Sequence, residues 1–339
     1  MRAAVLHGPH RLNIERVPLP QLELDEVLVA VDAVGLCGSD VHCYIGERSM
    51  EYPMVLGHEI TGRIVAAGTN VQAQRMGERV AIEPNIPCGR CMLCTRRLGR
   101  ICPHKQSLGL TRWGGLADYV AVPERFAWSI PERLSLRDAA TIEPTTVAVH
   151  ALSHAQIEVG ATIAIVGCGG VGLLLATVAI AQGYRVVAIE PNETRRNAVL
   201  TAGAICAFAT NDAQEAHTIF EQTGVVAIFE CAGFSITAQL CLDAAPQGSS
   251  IVLVGMATED VALNPLRFVR NELELRGALI YEHPQDFART IDLIASGKLA
   301  PGSTASPPQP LESLAALLEA MAAGKLGAKP LIAVRPAEM

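Results

Sequence analysis

The sequence predicts an α/β protein in which a β-rich first part is followed by a parallel, doubly wound sheet. Between Ala3 and Ala127, short β-type runs alternate with turns rich in glycine and proline, which is an all-β pattern. From Thr162 to Ile280, strand candidates alternate with helical stretches, as in parallel sheets covered by helices. A length of 339 residues suits two domains.

The individual elements follow from this pattern. The strands predicted in the first part are Ala3–Leu6, Val27–Val34, Ile60–Ala66, Arg79–Ile82 and Ala117–Val122, and Ser135–His154 is predicted to be helical. The second part gives strands Thr162–Gly167, Arg185–Glu190, Val225–Glu230, Ser249–Gly255 and Leu273–Ile280, with helices Val171–Gln182, Glu193–Ala202 and Ile236–Ala244. Two amphipathic helices, Gln285–Ser296 and Leu311–Ala323, and the strand Pro330–Val334 complete the chain. This tail of about 55 residues is too short to fold alone, so we expect it to pack on the first domain.

Composition and charge exclude several functions. The formal net charge is −7 and the basic residues are dispersed, so we expect no nucleic-acid partner. The uncharged stretch between Glu158 and Arg185 is long enough to span a membrane, but its glycine cluster favours a buried strand, turn and helix. The first residues contain no apolar export segment. We therefore expect a cytoplasmic protein with no membrane partner.

A glycine-rich turn joins the first strand of the parallel sheet to a helix. Gly167 would permit the tight turn, Gly169 the approach of a pyrophosphate, and Gly172 close packing of helix and strand. Glu190 closes the next strand, eighteen residues past Gly172, near the spacing at which a carboxylate binds ribose hydroxyls. The pattern predicts a dinucleotide site made by Gly167, Gly169, Gly170, Val171, Gly172 and Glu190.

Glu190 favours NAD as the dinucleotide, because its charge accepts hydrogen bonds from a free 2′-hydroxyl and repels a 2′-phosphate. Arg195 and Arg196 leave NADP open, since a nearby arginine can accommodate that phosphate. Their other interpretation is a solvated helix face. We include Arg195 among the candidate cofactor-binding residues.

Four of the ten cysteines lie within fifteen residues: Cys88, Cys91, Cys94 and Cys102. Their spacing predicts a closed, tetrahedral, structural zinc site. A redox Cys-X-X-Cys pair is the alternative, but it would not explain all four thiols. A second set of metal-binding side chains is dispersed along the chain, namely Cys37, His58, Glu59 and Glu143. Each of these has an ordinary structural explanation when it is taken singly.

Taken together, these motifs resemble the zinc-dependent medium-chain dehydrogenases, and within them the sorbitol, polyol and threonine dehydrogenases. The resemblance covers the whole chain and rests on Cys37-Gly-Ser-Asp with His42, Gly57-His58-Glu59-Ile-Thr-Gly62, the four-cysteine lobe, Glu143-Pro144 and the glycine turn. It implies a GroES-like catalytic domain over residues 1–147 with a structural zinc lobe at 84–104. A Rossmann NAD-binding domain over 148–284 and a return to the catalytic domain over 285–339 complete the implied organisation.

The resemblance also implies roles for individual residues. Cys37 and His58 would bind a catalytic zinc, with Glu59 or Glu143 completing its ligands directly or through water. Asp40 resembles the acid that orients the ligand histidine. Ser39 and His42 resemble the hydroxyl and imidazole of a proton relay. The expected cofactors are NAD and two zinc ions per chain, one catalytic and one structural.

One departure from the sorbitol enzymes concerns the substrate. They carry an arginine before a tyrosine where this chain has Ile280 before Tyr281. The loss of this charged donor argues against open-chain sorbitol and leaves room for another polyol, a cyclitol or a less polar secondary alcohol. From the resemblance, the expected substrate is a secondary alcohol of the polyol, sugar-alcohol or cyclitol kind, with threonine or a simple secondary alcohol as the alternative. We expect a homo-oligomer, a tetramer rather than a dimer.

Two other classes of protein are weighed against this interpretation. A zinc-ribbon binding protein would have a basic face, and it would explain neither the glycine turn nor Glu190. A catalytically silent relative, such as a crystallin-like member, would be expected to lack the catalytic zinc ligands, yet all four candidates are present.

Overall fold

The structure, a computed structural model, describes residues 1–335. The chain divides into two compact units: unit 1 contains Met1–Glu143 and the segment that starts at Glu282, and unit 2 is Pro144–Tyr281. These boundaries lie four and three residues before the boundaries inferred from the sequence, after residues 147 and 284.

The N-terminal part of unit 1 consists of short strands joined by turns. Its strands are β1 (Arg2–Leu6), β2 (Leu12–Arg16), β3 (Glu26–Gly35), β4 (Met54–Val55), β5 (Glu59–Ala67), β6 (Arg79–Ile82), β7 (Asn85–Ile86), β8 (Gln106–Ser107), β9 (Tyr119–Pro123) and β10 (Ala127–Ser129). Its α-helices are α1 (Gly38–Tyr44), α2 (Met92–Thr95) and α3 (Leu136–Ala140), and α4 (Ile142–Ser153) crosses the boundary into unit 2.

The predicted helix Ser135–His154 is two helices, α3 and α4. The physical reason is Pro144, which has no N–H to donate to the carbonyl four residues earlier. A proline is tolerated in the first turn of a helix, where N–H groups lack helical partners. The chain therefore restarts as α4 with Pro144 in its first turn.

Unit 2 is an alternation of strands and helices. It contains β11 (Thr162–Val166), α5 (Gly170–Ala181), β12 (Arg185–Ile189), α6 (Glu193–Thr201), β13 (Cys206–Phe208), α7 (Ala213–Thr223), β14 (Val225–Glu230), α8 (Ser235–Ala244), β15 (Ser250–Leu253), α9 (Pro265–Arg270) and β16 (Glu274–Gly277). The strands form a parallel six-stranded sheet of order β13-β12-β11-β14-β15-β16. This is the doubly wound order of dinucleotide-binding sheets, so the predicted fold class is confirmed.

Two elements of unit 2 differ from the sequence prediction. The last strand ends at Gly277 instead of Ile280, whose φ of 47° is incompatible with an extended strand. The helix α9 was not predicted, although it carries a strong start signal. Asn264 accepts a hydrogen bond from the Arg267 N–H, and Pro265 is the first helical residue.

The segment after Tyr281 supplies α10 (Gln285–Ala295), β17 (Gln309–Pro310), α11 (Leu314–Ala322) and β18 (Leu331–Ala333). Short 3₁₀ turns occur at Ala73–Arg75, Gly99–Ile101, Glu124–Phe126, Pro301–Thr304 and Leu311–Ser313. The main sheet of unit 1 has the order β10-β6-β5-β3-β18-β17, with β9 also paired to β3. Gly35 of β3 therefore faces Glu59 of β5 on one side and Leu331 of β18 on the other.

Each unit has its own apolar core. In unit 1 the core is made by β1, β3, β5 and β6 with α11, and in unit 2 by the sheet strands with α7 and α8. Across residues 1–335, none of the helices combines the length and the apolar character that a membrane crossing requires.

Candidate active site

Cys37 lies between the end of β3 and the start of α1. It is the N-cap residue of α1 and has an extended backbone. Its N–H donates to Oδ2 of Asp40, the third residue of the helix, at 2.9 Å. The start of the helix therefore fixes the position of the half-buried Cys37 thiol.

Asp40 is fully buried and connects two loops. Its Oδ1 accepts the Gly57 N–H at 3.1 Å and lies 3.6 Å from Nδ1 of His58. Burial disfavours the carboxylate, but the charge of His58 and the N–H groups of Cys37 and Gly57 lower the pKa of Asp40 below its ordinary value. Nδ1 of His58 is buried and has no hydrogen-bond partner in the described chain, so Asp40 lies beside the imidazole without a hydrogen bond to it.

Three candidate metal ligands converge in this part of unit 1. Donor atoms of Cys37, His58 and Glu59 all lie within 4.8 Å of one another. Thiolate, imidazole and carboxylate are the donors that zinc prefers, and three protein ligands leave one position for a substrate. Oε2 of Glu59 is buried and has no hydrogen-bond partner among the described residues. Because an unpaired buried acceptor is costly, this atom fits a metal ligand.

Gly35 makes room for the Glu59 carboxylate. The two residues face each other across β3 and β5. A Cβ atom at Gly35 would lie 2.0 Å from Oε2 of Glu59. Any side chain at this position would therefore displace the oxygen that has no partner.

Glu143, the other candidate ligand, is buried in the first turn of α4. Among the described residues, the donor atoms of Cys37 and His58 cluster with that of Glu59, and Glu143 is not part of this cluster. Burial disfavours the ammonium of Lys329, but the charges of Glu59 and Cys37 raise its pKa. Glu143 contributes in the same direction, so it lies within electrostatic range of this site.

Lys329 is a residue of the site that the sequence analysis missed. Its Nζ lies 2.6 Å from Oε1 of Glu59 and 3.2 Å from the Leu36 carbonyl oxygen. The side chains of Lys329 and Glu59 are 6% and 1% exposed. The two residues are 270 positions apart and share no motif. The one available signal was a lysine directly before a predicted apolar strand.

The four cysteines of the lobe form a compact cluster. Successive Sγ–Sγ distances are 3.5 Å for Cys91–Cys94, 3.7 Å for Cys91–Cys102, 3.6 Å for Cys88–Cys102 and 3.9 Å for Cys88–Cys94. A tetrahedral zinc with Zn–S bonds of about 2.3 Å requires edges of about 3.8 Å. The N–H groups of Arg90 and Cys91 lower the pKa of Cys88 to about 6, whereas burial raises the pKa of Cys94 to about 12, so the support for zinc comes from the geometry of the four thiols. The cluster fits a closed structural zinc site.

The glycine turn of unit 2 lies between β11 and α5. Gly167 has a φ of 87°, and a Cβ there would meet Ala232 at 2.6 Å. A Cβ at Gly172 would lie 1.9 Å from the Gly167 carbonyl oxygen, so helix and strand pack closely. Apart from their neighbours in the chain and in the helix, no atom of residues 1–335 lies within 4 Å of a Cβ built at Gly169 or Gly170. The N-terminus of α5, where Val171 is half-buried, is therefore open to a phosphate.

Glu190 is 3% exposed at the end of β12. Its Oε2 accepts the Cys168 N–H at 2.8 Å, and its Oε1 accepts the Asn192 N–H at 2.9 Å. The carboxylate thus fastens the glycine turn to the start of α6, a role that the sequence analysis did not foresee. Each oxygen retains a second lone pair for a ribose hydroxyl.

The two arginines of α6 have different surroundings. The Arg196 guanidinium donates to the carbonyl oxygens of Glu190 and Pro191 at 2.9 and 2.6 Å. The Arg195 side chain is half-buried and makes no hydrogen bond within the described chain. Arg195 is therefore the arginine with donors free for a phosphate.

Ser39 and His42 lie three residues apart on α1, so they share one face of the helix. Ser39 is half-buried, whereas His42 is exposed and its Nδ1 lies 2.7 Å from Oε2 of Glu47. Ser39 thus lies in the first turn of α1, near Cys37, and His42 lies in the last turn at the surface.

Two family profiles match the chain. The profile "Alcohol dehydrogenase GroES-like domain" matches residues 23–132, and "Zinc-binding dehydrogenase" matches residues 170–296. Among sequence relatives, sorbitol dehydrogenase of Bacillus subtilis is 35% identical over 307 residues, which cover 88% of this chain and 86% of that protein. D-xylulose reductase A of Aspergillus oryzae is 32% identical over 310 residues, covering 87% and 86%.

Solved structures show the same similarity. Galactitol-1-phosphate dehydrogenase from Escherichia coli superposes with a TM-score of 0.92 at 28% identity, over 98% of this chain and 100% of that one. The 2R,3R-butanediol dehydrogenase from Bacillus subtilis gives a TM-score of 0.88 at 26% identity, over 98% and 99%.

Proposed function

Because the chain belongs to the zinc-dependent medium-chain dehydrogenases, in the polyol branch, we propose that it transfers hydride between a polyol-like secondary alcohol and NAD. Oxidation of the alcohol by NAD⁺ yields the ketone, NADH and one proton. The observation that carries the proposal is the convergence of Cys37, His58 and Glu59, with a buried carboxylate oxygen left unpaired in the described chain. Zinc bound there supplies a Lewis acid for the substrate hydroxyl, and NAD supplies the hydride acceptor.

Each residue of unit 1 has a defined task in this proposal. Cys37, His58 and Glu59 would hold the catalytic zinc, and Asp40, whose Oδ1 lies 3.6 Å from Nδ1 of His58, would orient the imidazole. Ser39 takes part in moving the alcohol proton toward His42, whose exposed imidazole passes it to solvent. The four-cysteine lobe would hold the second zinc ion in a closed site without a substrate position.

The preference for NAD over NADP is assigned to Glu190. Its buried carboxylate already accepts the N–H groups of Cys168 and Asn192, which hold it in place at the end of β12. A 2′-phosphate beside this charge would be repelled. The free donors of Arg195 are the element that would favour NADP if the carboxylate were removed.

The substrate class is the polyols, sugar alcohols and cyclitols, with threonine or a simple secondary alcohol as the alternative. Ile280 supplies no charged donor, which favours a polyol or cyclitol other than open-chain sorbitol. NADH formation should be measured across polyols, cyclitols, threonine and short secondary alcohols. A polyol or cyclitol with the highest kcat/KM supports the assignment, and threonine or a short alcohol in that position contradicts it. No turnover with any alcohol would overturn the dehydrogenase assignment itself.

We also propose a homo-oligomer, a tetramer rather than a dimer. Strand β16 is the last strand of the unit 2 sheet, and an open sheet edge is a template for pairing with another chain. The preceding helix α9 exposes Leu266 and Val269, at 64% and 77%. Sedimentation velocity that finds a monomer at micromolar concentration would contradict this proposal.

The cytoplasm is the proposed location. All ten cysteines are free thiols in the structure, which fits a reducing compartment where thiols serve as metal ligands. A secreted protein would instead be expected to contain disulfides. Fractionation of cells that carry the tagged full chain tests the location directly.

A further inference from the structure

Lys329 reaches the proposed catalytic zinc site from the far end of the chain. Its backbone is held on both sides, because its N–H donates to the Thr304 carbonyl oxygen and its own carbonyl oxygen accepts the Ser306 N–H. The Leu36 N–H donates to the carbonyl oxygen of Pro330, the next residue. The segment before β18 is therefore fixed against the loop that carries Cys37.

The side chain of Lys329 is buried, and two acceptors hold its ammonium. Its Nζ donates to Oε1 of Glu59 at 2.6 Å and to the Leu36 carbonyl oxygen at 3.2 Å. The Leu36 carbonyl belongs to the residue directly before Cys37. The Lys329 ammonium thus links the Glu59 carboxylate to the backbone directly before Cys37.

The two oxygens of Glu59 have different surroundings. Oε1 is bound to Lys329, whereas Oε2 is buried without a hydrogen-bond partner in the described chain. Gly35 leaves open the space that Oε2 occupies. The carboxylate is therefore held by one oxygen and has the other oxygen available.

Fold stability is a weak explanation for such a pair. Buried ion pairs can often be replaced by apolar residues of similar volume with neutral or stabilising effect. An apolar pair could not hold a carboxylate oxygen in place beside Cys37 and His58. The Lys329–Glu59 contact therefore calls for a functional explanation.

We propose that Lys329 is a positioning residue of the catalytic zinc site, which holds Oε1 of Glu59 so that Oε2 faces the ion. The proposal rests on the zinc site assigned under the proposed function. Loss of such supporting contacts to a metal ligand typically costs 10- to 100-fold in metal affinity. Lys329 is thus expected to control how long the zinc ion is retained, in addition to any effect on turnover.

The experiment measures zinc release to the coloured chelator pyridylazoresorcinol. The wild-type protein should give a fast phase from the open site and a slow phase from the four-cysteine lobe, and Cys37→Ser should remove the fast phase. Lys329→Met should accelerate the fast phase about tenfold or more and leave the slow phase unchanged. Lys329→Arg keeps a cationic donor, so its fast phase should be close to the rate of the wild-type fast phase. Lys325→Met is the matched control, because Lys325 is exposed four residues earlier, and it should change neither phase.

A double-variant cycle separates positioning from a structural role. Glu59→Gln should accelerate the fast phase by itself, and Glu59→Gln with Lys329→Met should be no faster than Glu59→Gln alone. The double variant leaves no unpaired buried charge, so it tests the proposal even if Lys329→Met alone fails to fold.

Three results would overturn the inference. The first is an unchanged fast phase in Lys329→Met. The second is an equal acceleration by Lys329→Met in the wild-type and Glu59→Gln backgrounds, which would show that Lys329 does not act through Glu59. The third is a wild-type protein without a fast phase that depends on Cys37. That third result would overturn the proposed zinc site as well, whereas the first two leave the proposed function standing.

Discussion

The four-cysteine lobe takes all its donors from residues 88–102, whereas the Cys37 site uses residues 37, 58 and 59 and is supported from residues 35 and 329. The lobe is visible in the sequence because its spacing alone encodes the site. The Cys37 site exists only when β5, β3 and β18 lie side by side. The comparison teaches that a metal site built from one loop and one built across a sheet should respond differently to the same kind of substitution.

The largest expected effect is on the site built across the sheet. Cys37→Ser replaces a thiolate ligand by a hydroxyl, and we expect kcat to fall about 10³-fold or more, since Lewis-acid activation contributes several kcal/mol. NADH binding should remain near normal, because the glycine turn lies in unit 2. Steady-state kinetics and NADH fluorescence titration measure the two effects. Cys206→Ser, also at a half-buried thiol, is the control and should retain activity.

A near-normal kcat in Cys37→Ser with normal metal content would show that Cys37 is not a ligand. Loss of both turnover and NADH binding would indicate a damaged fold, and circular dichroism would detect it.

The second prediction concerns the glycine turn. Its residues are adjacent in the sequence, but Glu190, from the end of β12, accepts a hydrogen bond from the Cys168 N–H of this turn. Glu190→Ala removes charge-assisted hydrogen bonds, so kcat/KM for NAD should fall about 10- to 150-fold, corresponding to about 1.5–3 kcal/mol. The kcat/KM for NADP should fall less than that for NAD, or should rise, because the charge that repels the 2′-phosphate is gone. Adding Arg195→Ala should remove that gain. Glu193→Ala, at an exposed carboxylate in the first turn of α6, is the matched control.

A wild-type protein that prefers NADP with one fixed alcohol would contradict the assignment of Glu190. It would make Arg195 the specificity element.

The smallest expected effect concerns the four-cysteine lobe. Cys91→Ser should release the structural zinc and loosen the loop around it. The lobe exposes Arg90, Arg96 and Arg97, so trypsin should cut there about tenfold faster than in the wild-type protein. Mass spectrometry of early fragments locates the cuts. Cys37→Ser should not accelerate cleavage in the lobe, and equal acceleration by both variants would remove the distinction between the two sites.

Those parts of the molecule that local patterns encode were predictable. The alternation of strands and helices predicted the parallel doubly wound sheet. The spacing of Gly167 to Gly172 predicted a turn in which Gly167 and Gly172 are closely packed and Gly169 is open to a phosphate, as the structure shows. The four cysteines likewise cluster as their spacing predicts. For the turn and the four-cysteine cluster, residues that are close in the sequence determine the geometry, and for the sheet the alternation of elements restricts the topology.

Contacts made across the sheet were not predictable from one sequence. The motif around Glu59 does not indicate that Lys329 lies nearby. The two residues come together only because β3 pairs with both β5 and β18. The choice between Glu59 and Glu143 likewise depends on tertiary packing. The backbone N–H groups that bind Glu190 were missed because spacing indicates a carboxylate's position but not its partners.

The most direct test of the account is the zinc content of protein purified without chelators, measured by elemental analysis with amino-acid quantification. The wild-type protein should contain two zinc ions per chain, because the four-cysteine cluster and the Cys37–His58–Glu59 cluster each fit one ion. Cys37→Ser and Cys91→Ser should each retain one. One zinc ion or none in the wild-type chain, or two in Cys37→Ser, would contradict the account.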